Sequence, residues 1–149
     1  MEQTQENARK SWMGILAKAP RGQIPTLLSQ VSEPPKFDWL RPPEVGSVMI
    51  QGRMGGSGSA FNLGEMTVTR CSLKLADGTV GHGYVQGRSK EDARAAAIVD
   101  ALLQTAQSAV MHRGIIDPLK AAQEAARATK ARKAAATKVD FFTMARGED

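Results

Sequence analysis

Along the first forty positions apolar residues recur every three or four residues. Trp12, Ile15, Leu16 and Ala19 fall on one helical face, and Leu27, Leu28 and Val31 fall on another behind Pro25. The spacing predicts two short helices, the second opening near Pro25, and Pro34-Pro35 ends the pair. After a linker with Pro42-Pro43 the pattern changes. Residues 47–53 are rich in strand formers and run into a glycine-rich loop, 54–59. Residues 66–76 then alternate with period two and meet Asp77-Gly78, a two-residue hairpin signal, before a third strand at 79–87.

A two-residue loop would pair Ala76 with Thr79. Counting back places Leu75, Leu73, Cys71 and Thr69 beside Val80, His82, Tyr84 and Gln86, the face expected to meet the core. The other face would carry Val68, Arg70, Ser72 and Lys74 beside Gly87, Val85, Gly83 and Gly81. Such a glycine strip lets another backbone or helix approach closely. Ser89 with Asp92 three positions on reads as an N-cap close to a capping box. Val99, Leu102, Leu103, Ala106 and Val110 give the helix that follows an apolar stripe as far as about Gly114. Asp117-Pro118 reads as a second N-cap, opening an alanine-rich helix to about Ala136 whose one bulky apolar residue is Leu119. Val139, Phe141, Phe142 and Met144 then crowd a tail that is expected to dock on something.

These elements predict an α+β protein: an antiparallel three-stranded meander with a packed helix, a helical N-terminal arm and a long alanine-rich C-terminal helix. The expected organisation is a single domain over 1–149, with the arm at 1–34, the sheet and helix core at 46–112, and the C-terminal helix and docking tail at 117–149. Composition adds a constraint. Only four Phe, two Trp and one Tyr occur in 149 residues, and the apolar fraction leans on alanine. Bulky core residues are therefore few, and some surface is expected to be buried only against a partner. The net charge of +5 resembles a nucleic-acid signature, but seven Lys/Arg against two acids lie in 113–138 and the rest is balanced. One element carries the excess.

The single cysteine, Cys71, excludes an internal disulfide, and neither CxxC nor a Cys/His cluster is present for zinc. With no apolar run long enough for a membrane span and no leader-like N-terminus, a cytoplasmic protein, neither secreted nor membrane-bound, is expected. The glycine loop lacks the Lys-Ser/Thr ending of a phosphate-binding loop and opens no helix, so a mobile or partner-ordered loop is the plainer reading. His82 and His112 lie thirty residues apart without carboxylate partners at useful spacing, and His82 reads as a partly buried sheet residue. Cys71 reads as a small hydrophobe on the core face. Arg70, Lys74, Arg53 and Arg88 are either solvated surface or contacts to an anion or an acidic partner. The basic run of Arg127, Lys130, Arg132 and Lys133 has no aromatic residue interleaved for base stacking, which leaves a small basic nucleic-acid-binding module as the weaker alternative.

Several strings converge on one family: 40–44 (LRPPE), 52–56 (GRMGG), 61–71 (FNLGEMTVTRC), 78–87, 100–104 (DALLQ) and 138–144 (KVDFFTM). In this order, from the Trp12-Met13 helix to the C-terminus, they closely resemble the PhnG family, a subunit of the bacterial carbon-phosphorus lyase system. The sequence departs from the expected Thr and Val at Ser57 and Ala145. The resemblance implies a two-fold symmetric core with PhnH, PhnI and PhnJ, in which PhnI is the most direct neighbour. With PhnH, PhnI and PhnL, such a subunit helps couple a phosphonate to ATP, giving α-D-ribose 1-alkylphosphonate 5-triphosphate with release of adenine. It implies a transferase subunit without a complete active site of its own. ATP is then a substrate of the complex, no cofactor or metal is held by this chain alone, and no nucleic acid or membrane is bound. The family supplies no catalytic residue to carry over. The matching positions point instead to Asn62, Glu65, Arg70 and Arg53, with Phe141 and Phe142 of the tail, as contacts to partner or substrate.

Overall fold

A computed structural model describes residues 2–53 and 60–147, with the side chains of residues 3–52 and 63–136. The chain runs α1 (Glu2–Ala17), α2 (Gln23–Val31), β1 (Phe37–Arg53), β2 (Ala60–Leu75), β3 (Val80–Gln86), α3 (Lys90–Leu102) and α4 (Ser108–Met111). A π-helical turn (His112–Ile116) then leads directly into α5 (Asp117–Gly147). The strands form one antiparallel sheet in the order β1-β2-β3, so the α+β meander with a packed helix, a helical N-terminus and a long C-terminal helix is observed. The glycine-rich loop lies outside the described residues.

The hairpin is present, but its register is shifted by one residue. Leu75 N–H donates to Thr79 O at 2.8 Å and Gly78 N–H to Leu75 O at 2.9 Å, so the loop has three residues, with Gly78 at φ +93°. A three-residue loop closing on a left-handed glycine is the other common hairpin solution, and one residue of slip turns over every side chain. Cys71 therefore pairs with Gly83, Leu73 with Gly81 and Thr69 with Val85. The glycine strip lies on the core face, not opposite it, and His82 is exposed with Ser72 Oγ 2.8 Å from its Nδ1.

The glycine strip is where α3 sits. A Cβ on Gly81 would lie 2.1 Å from Ala97 O, and one on Gly83 would lie 2.0 Å from Ala93 O. Only glycine in the strand and alanine in the helix allow this approach, and Ala93, Ala97 and Ala101 are buried there. The Cys71 thiol donates to Ala93 O at 3.2 Å in the same layer. Burial pushes that thiol up to about 11, against a smaller opposing effect of the Gly83 backbone hydrogen bond.

Ser89 caps α3 as expected, accepting from Asp92 N–H at 3.1 Å. The Asp92 carboxylate, however, does not turn back into a capping box. Both its oxygens accept from Gly22 N–H at 3.1 Å, tying the left-handed α1–α2 corner (Gly22 φ +83°) to the start of α3. Two turns further on, Asp100 is fully buried and accepts four hydrogen bonds. These come from Arg9 Nε (3.2 Å), Arg9 Nη2 (2.8 Å), Trp12 Nε1 (2.8 Å) and His82 N–H (2.8 Å). Gln104 Nε2 adds a bond to Val80 O at 2.9 Å, so α3 and its C-terminal turn occupy part of the free edge of β3.

Three boundaries differ from those read off the pattern. First, α3 ends at Leu102 and not near Gly114. Thr105 Oγ takes the Leu102 carbonyl at 2.7 Å, and Ala106 and Val110, read as part of its stripe, are exposed. Second, Asp117 is no N-cap. It has helical φ −62°, ψ −46°, because the π turn before Pro118 takes up the register that a proline's missing N–H would break. Gly114 in that turn packs against α2, where a Cβ would stand 2.4 Å from Val31 Cγ1. Helix α5 continues through Gly147, past the expected stop at Ala136. Third, β1 begins at Phe37 and runs through Pro42-Pro43. An edge strand tolerates prolines, and register shifts between Trp39 and Arg41 and between Arg41 and Glu44 absorb them.

Asp100→Ala would leave the Arg9 guanidinium, the Trp12 indole N–H and the His82 N–H without their acceptor, and should cost about 3–5 kcal/mol in urea unfolding. Gly83→Ala should cost about 3 kcal/mol or more, because the atom it meets is backbone. Gly14→Ala, with open space around it inside α1, should stabilise by about 0.5–1 kcal/mol. Cys71→Ala should cost about 1 kcal/mol. The native thiol should resist alkylation at pH 8 until the protein unfolds. Its folded value lies above the unfolded one, so its contribution to stability is complete below pH 9 and falls away between about pH 9 and 11.

Candidate functional site

The helices lie on the sheet face that carries Cys71, Leu73, Leu75 and the glycine strip. The other face presents Arg70, Ser72 and Lys74 of β2 beside Tyr84, His82 and Val80 of β3. Across the β1 seam Arg70 stands opposite Glu44, Ser72 opposite Arg41 and Lys74 opposite Asp38. Cross-strand opposition of unlike charges supports the pairing of the strands. The charged members of this face are exposed, while Tyr84 and Ser72 are half-buried. The result is an open face of mixed charge, with Arg41, Arg70 and Lys74 beside Asp38 and Glu44.

The residues read from the sequence as contacts are distributed differently from a single cluster. Glu65 is exposed opposite Met49, five positions from Arg70, so strand alternation sends the two carboxylate and guanidinium groups to opposite faces. Glu65 and Arg70 are therefore not brought together on one face. Backbone positions place Asn62 opposite Gln51 and Arg53 opposite Ala60, near the tip of the β1–β2 ribbon. Phe141 and Phe142 lie in the last turns of α5. The side chains of Arg53, Asn62, Phe141 and Phe142 lie outside the described residues.

A cleft of about 860 Å³ opens between α1, the end of α3 and α4, lined by Glu6, Arg9, Trp12, Gln104, Ser108 and His112 among others. The half-buried His112 ring meets Trp12 edge-on at 5.7 Å. Arg9 holds a fixed orientation there because two of its nitrogens are bound to Asp100. Its charge is largely answered by that carboxylate, so the cleft suits a neutral polar group better than a free anion. Sequence reasoning missed the Arg9–Asp100–Trp12 network. The available signal was an acid set inside a run of otherwise apolar helix positions, Ala95 to Leu103. Among the described residues no three His, Cys, Asp or Glu side chains are grouped to hold a metal ion, and no helix is long and apolar enough to cross a membrane.

Comparison with known proteins gives a consistent answer. Residues 7–147 match the family described as phosphonate metabolism protein PhnG. A relative from Rhizobium meliloti (strain 1021), named alpha-D-ribose 1-methylphosphonate 5-triphosphate synthase subunit PhnG, is 43% identical over 141 residues. That alignment spans 95% of this chain and 90% of the relative. Matches of this extent run through the helical N-terminus, the sheet, α3 and α5 alike, and the chain belongs to the PhnG family of phosphonate metabolism proteins.

Proposed function

We propose that this chain is the PhnG-type subunit of an α-D-ribose 1-alkylphosphonate 5-triphosphate synthase. Together with PhnH, PhnI and PhnL it couples a phosphonate to the ribose of ATP, and adenine leaves. It sits in a two-fold symmetric core with PhnH, PhnI and PhnJ in the cytoplasm, and PhnI is its most direct neighbour. ATP is a substrate of the assembly, and the chain by itself holds no cofactor. The observation that carries this reading is the 43% identity, over nearly the whole of both chains, to a relative named as a subunit of that synthase.

The chemistry of the side chains agrees with a supporting role. Cys71 is buried, its thiol value raised by that burial, His82 is joined to Ser72, and Asp100 is committed to four donors. Cys71 and Asp100 thus hold the fold together. Arg70 on the open sheet face is the contact we carry forward, toward a partner carboxylate or a phosphate, with Glu65 on the other face as a second.

Adenine release from ATP and methylphosphonate by reconstituted PhnH, PhnI and PhnL should fall to background when this chain is omitted and return when it is added back. Release unchanged by omission would refute the proposal. Steeply salt-dependent binding to nucleic acid, with no effect on adenine release, would favour the basic binding module instead. Arg70→Ala should change folding stability by less than about 1 kcal/mol, since the side chain is exposed. It should nevertheless weaken assembly or raise the Michaelis constant for ATP about tenfold, because an arginine desolvated at an interface is worth far more than one in water.

A further inference from the structure

The cleft between α1, the end of α3 and α4 presents two hydrogen-bonding groups whose orientation the fold has already set. Gln104 Nε2 donates to Val80 O at 2.9 Å and to Asp100 O at 3.1 Å. Both acceptors are carbonyl oxygens, so the amide nitrogen must face them and Oε1 is left over as an acceptor. Arg9 is held in a similar way. Its Nε and Nη2 are bound to the two carboxylate oxygens of Asp100, which leaves Nη1 over as a donor. Neither Arg9 Nη1 nor Gln104 Oε1 has a hydrogen-bond partner among the described residues, and both side chains line the cleft. Each is anchored on Asp100, one through its carboxylate and the other through its main-chain carbonyl. Little rotamer freedom remains for a ligand to remove.

A fixed donor and a fixed acceptor on one anchor select a ligand that carries the reverse pair, an acceptor for Arg9 and a donor for Gln104. The arginine's charge is already answered by Asp100, so the matching acceptor is a neutral one. Trp12, Leu103 and Ala8 supply apolar wall, which suits a flat ring better than a chain of hydroxyls. A ring nitrogen next to an exocyclic amino group has this arrangement, and it is the hydrogen-bonding edge of a 6-aminopurine or a 4-aminopyrimidine. Glu6 lines the same cleft as a further acceptor, which an amino group with two hydrogens can use. The cleft volume of about 860 Å³ has room for a purine. A 6-oxopurine presents the opposite edge, with N–H toward the arginine and carbonyl oxygen toward the glutamine.

We infer that this cleft binds the base of a 6-aminopurine, with its amino group toward Gln104 and the adjacent ring nitrogen toward Arg9. The choice of purine over aminopyrimidine rests on the synthase-subunit reading, in which ATP is a substrate of the assembly and adenine is released. The phosphates of ATP lie outside the cleft, because Arg9 has no unanswered charge to give them.

The test titrates the full chain with adenine, ATP, hypoxanthine and cytosine and follows the Trp12 indole and the His112 ring by NMR, since both rings line the cleft. Adenine should shift both signals. Hypoxanthine should bind at least about tenfold more weakly, because its reversed edge sets donor against donor and acceptor against acceptor. ATP moving the same signals identifies the base as the substrate's, and adenine alone moving them identifies it as the released one. Ala8→Phe, on the exposed side of α1, should melt close to the parent and lose the binding. Hypoxanthine or cytosine bound as tightly as adenine overturns the inference, as does binding that survives Ala8→Phe or leaves Trp12 and His112 unmoved. A chain that binds none of the four overturns it as well, and if that chain is still needed for adenine release the subunit reading stands. Binding of adenine by a chain that is dispensable for adenine release overturns the subunit reading and leaves the ligand of the cleft in place.

Discussion

The Asp100 carboxylate brings three separate parts of the chain to one point. Each oxygen accepts two hydrogen bonds: Oδ1 from Arg9 Nε and Trp12 Nε1, Oδ2 from Arg9 Nη2 and the His82 backbone. A fully buried carboxylate is costly to dehydrate, and it is tolerated only where an opposite charge and several donors replace the lost water. The charge comes from Arg9, whose own side chain is one third exposed, so the ion pair sits at the boundary of the core and keeps one end wet. The geometry this imposes is specific. Helix α1 can bring Arg9 and Trp12 to Asp100 only if it lies across the end of β3, and β3 can offer its His82 N–H only at the free edge of the sheet. Docking of the N-terminal helix and protection of that edge are one event.

The contact depends in turn on how near α3 lies to the sheet. A low content of bulky residues looked, from composition, like a shortage of core that a partner must make good. The structure uses alanine differently. Ala93, Ala97 and Ala101 against Gly81 and Gly83 bring helix backbone into contact with strand backbone, so that dispersion and the Cys71–Ala93 bond replace the interdigitated side chains of an ordinary core. The larger apolar residues are spent on the other sides of α3, where Trp12, Leu16, Ile24, Met111, Ile115 and Leu119 are buried.

Much of this was legible. The two N-terminal helices, the hairpin, the Ser89 cap and the expectation that something would approach a glycine strip are all present in the alternation and punctuation of the sequence. The face of that strip was not legible, since Asp77-Gly78 suits a two-residue and a three-residue loop alike, and the choice reverses every side chain. The close helix decides it: with the shorter loop, Tyr84 and His82 would point at Ala93 and Ala97, where no side chain fits. Pro42-Pro43 misled for a related reason, because prolines mark a linker unless the strand is at an edge, and edge position is a tertiary property. The candidate contacts were drawn from positions that match the family, and such a match does not say which face of the strand each residue takes. Strand geometry separates Glu65 from Arg70, because five residues is an odd number.

Alanine appears in two long helices here and does opposite things in them. In α3 it is buried and its small size permits an approach that no larger residue would allow. In α5, from Glu124 to Ala136, every side chain is exposed, and alanine contributes only its propensity to be helical. Among the described side chains of that helix, up to Ala136, only Leu119 is buried, and Gln123 donates to Ile15 O at 2.9 Å. Over 124–136 its stability then comes from local terms, a run of good helix formers in a helix long enough to outlast the cost of nucleation. A helix held this way loses little when its surroundings change. The β1–β2 ribbon is a different case, since beyond the end of β3 its two strands have no third beside them. The two elements therefore differ in kind: the described stretch of α5 is sustained by its own propensity, and the ribbon by the pairing of two strands.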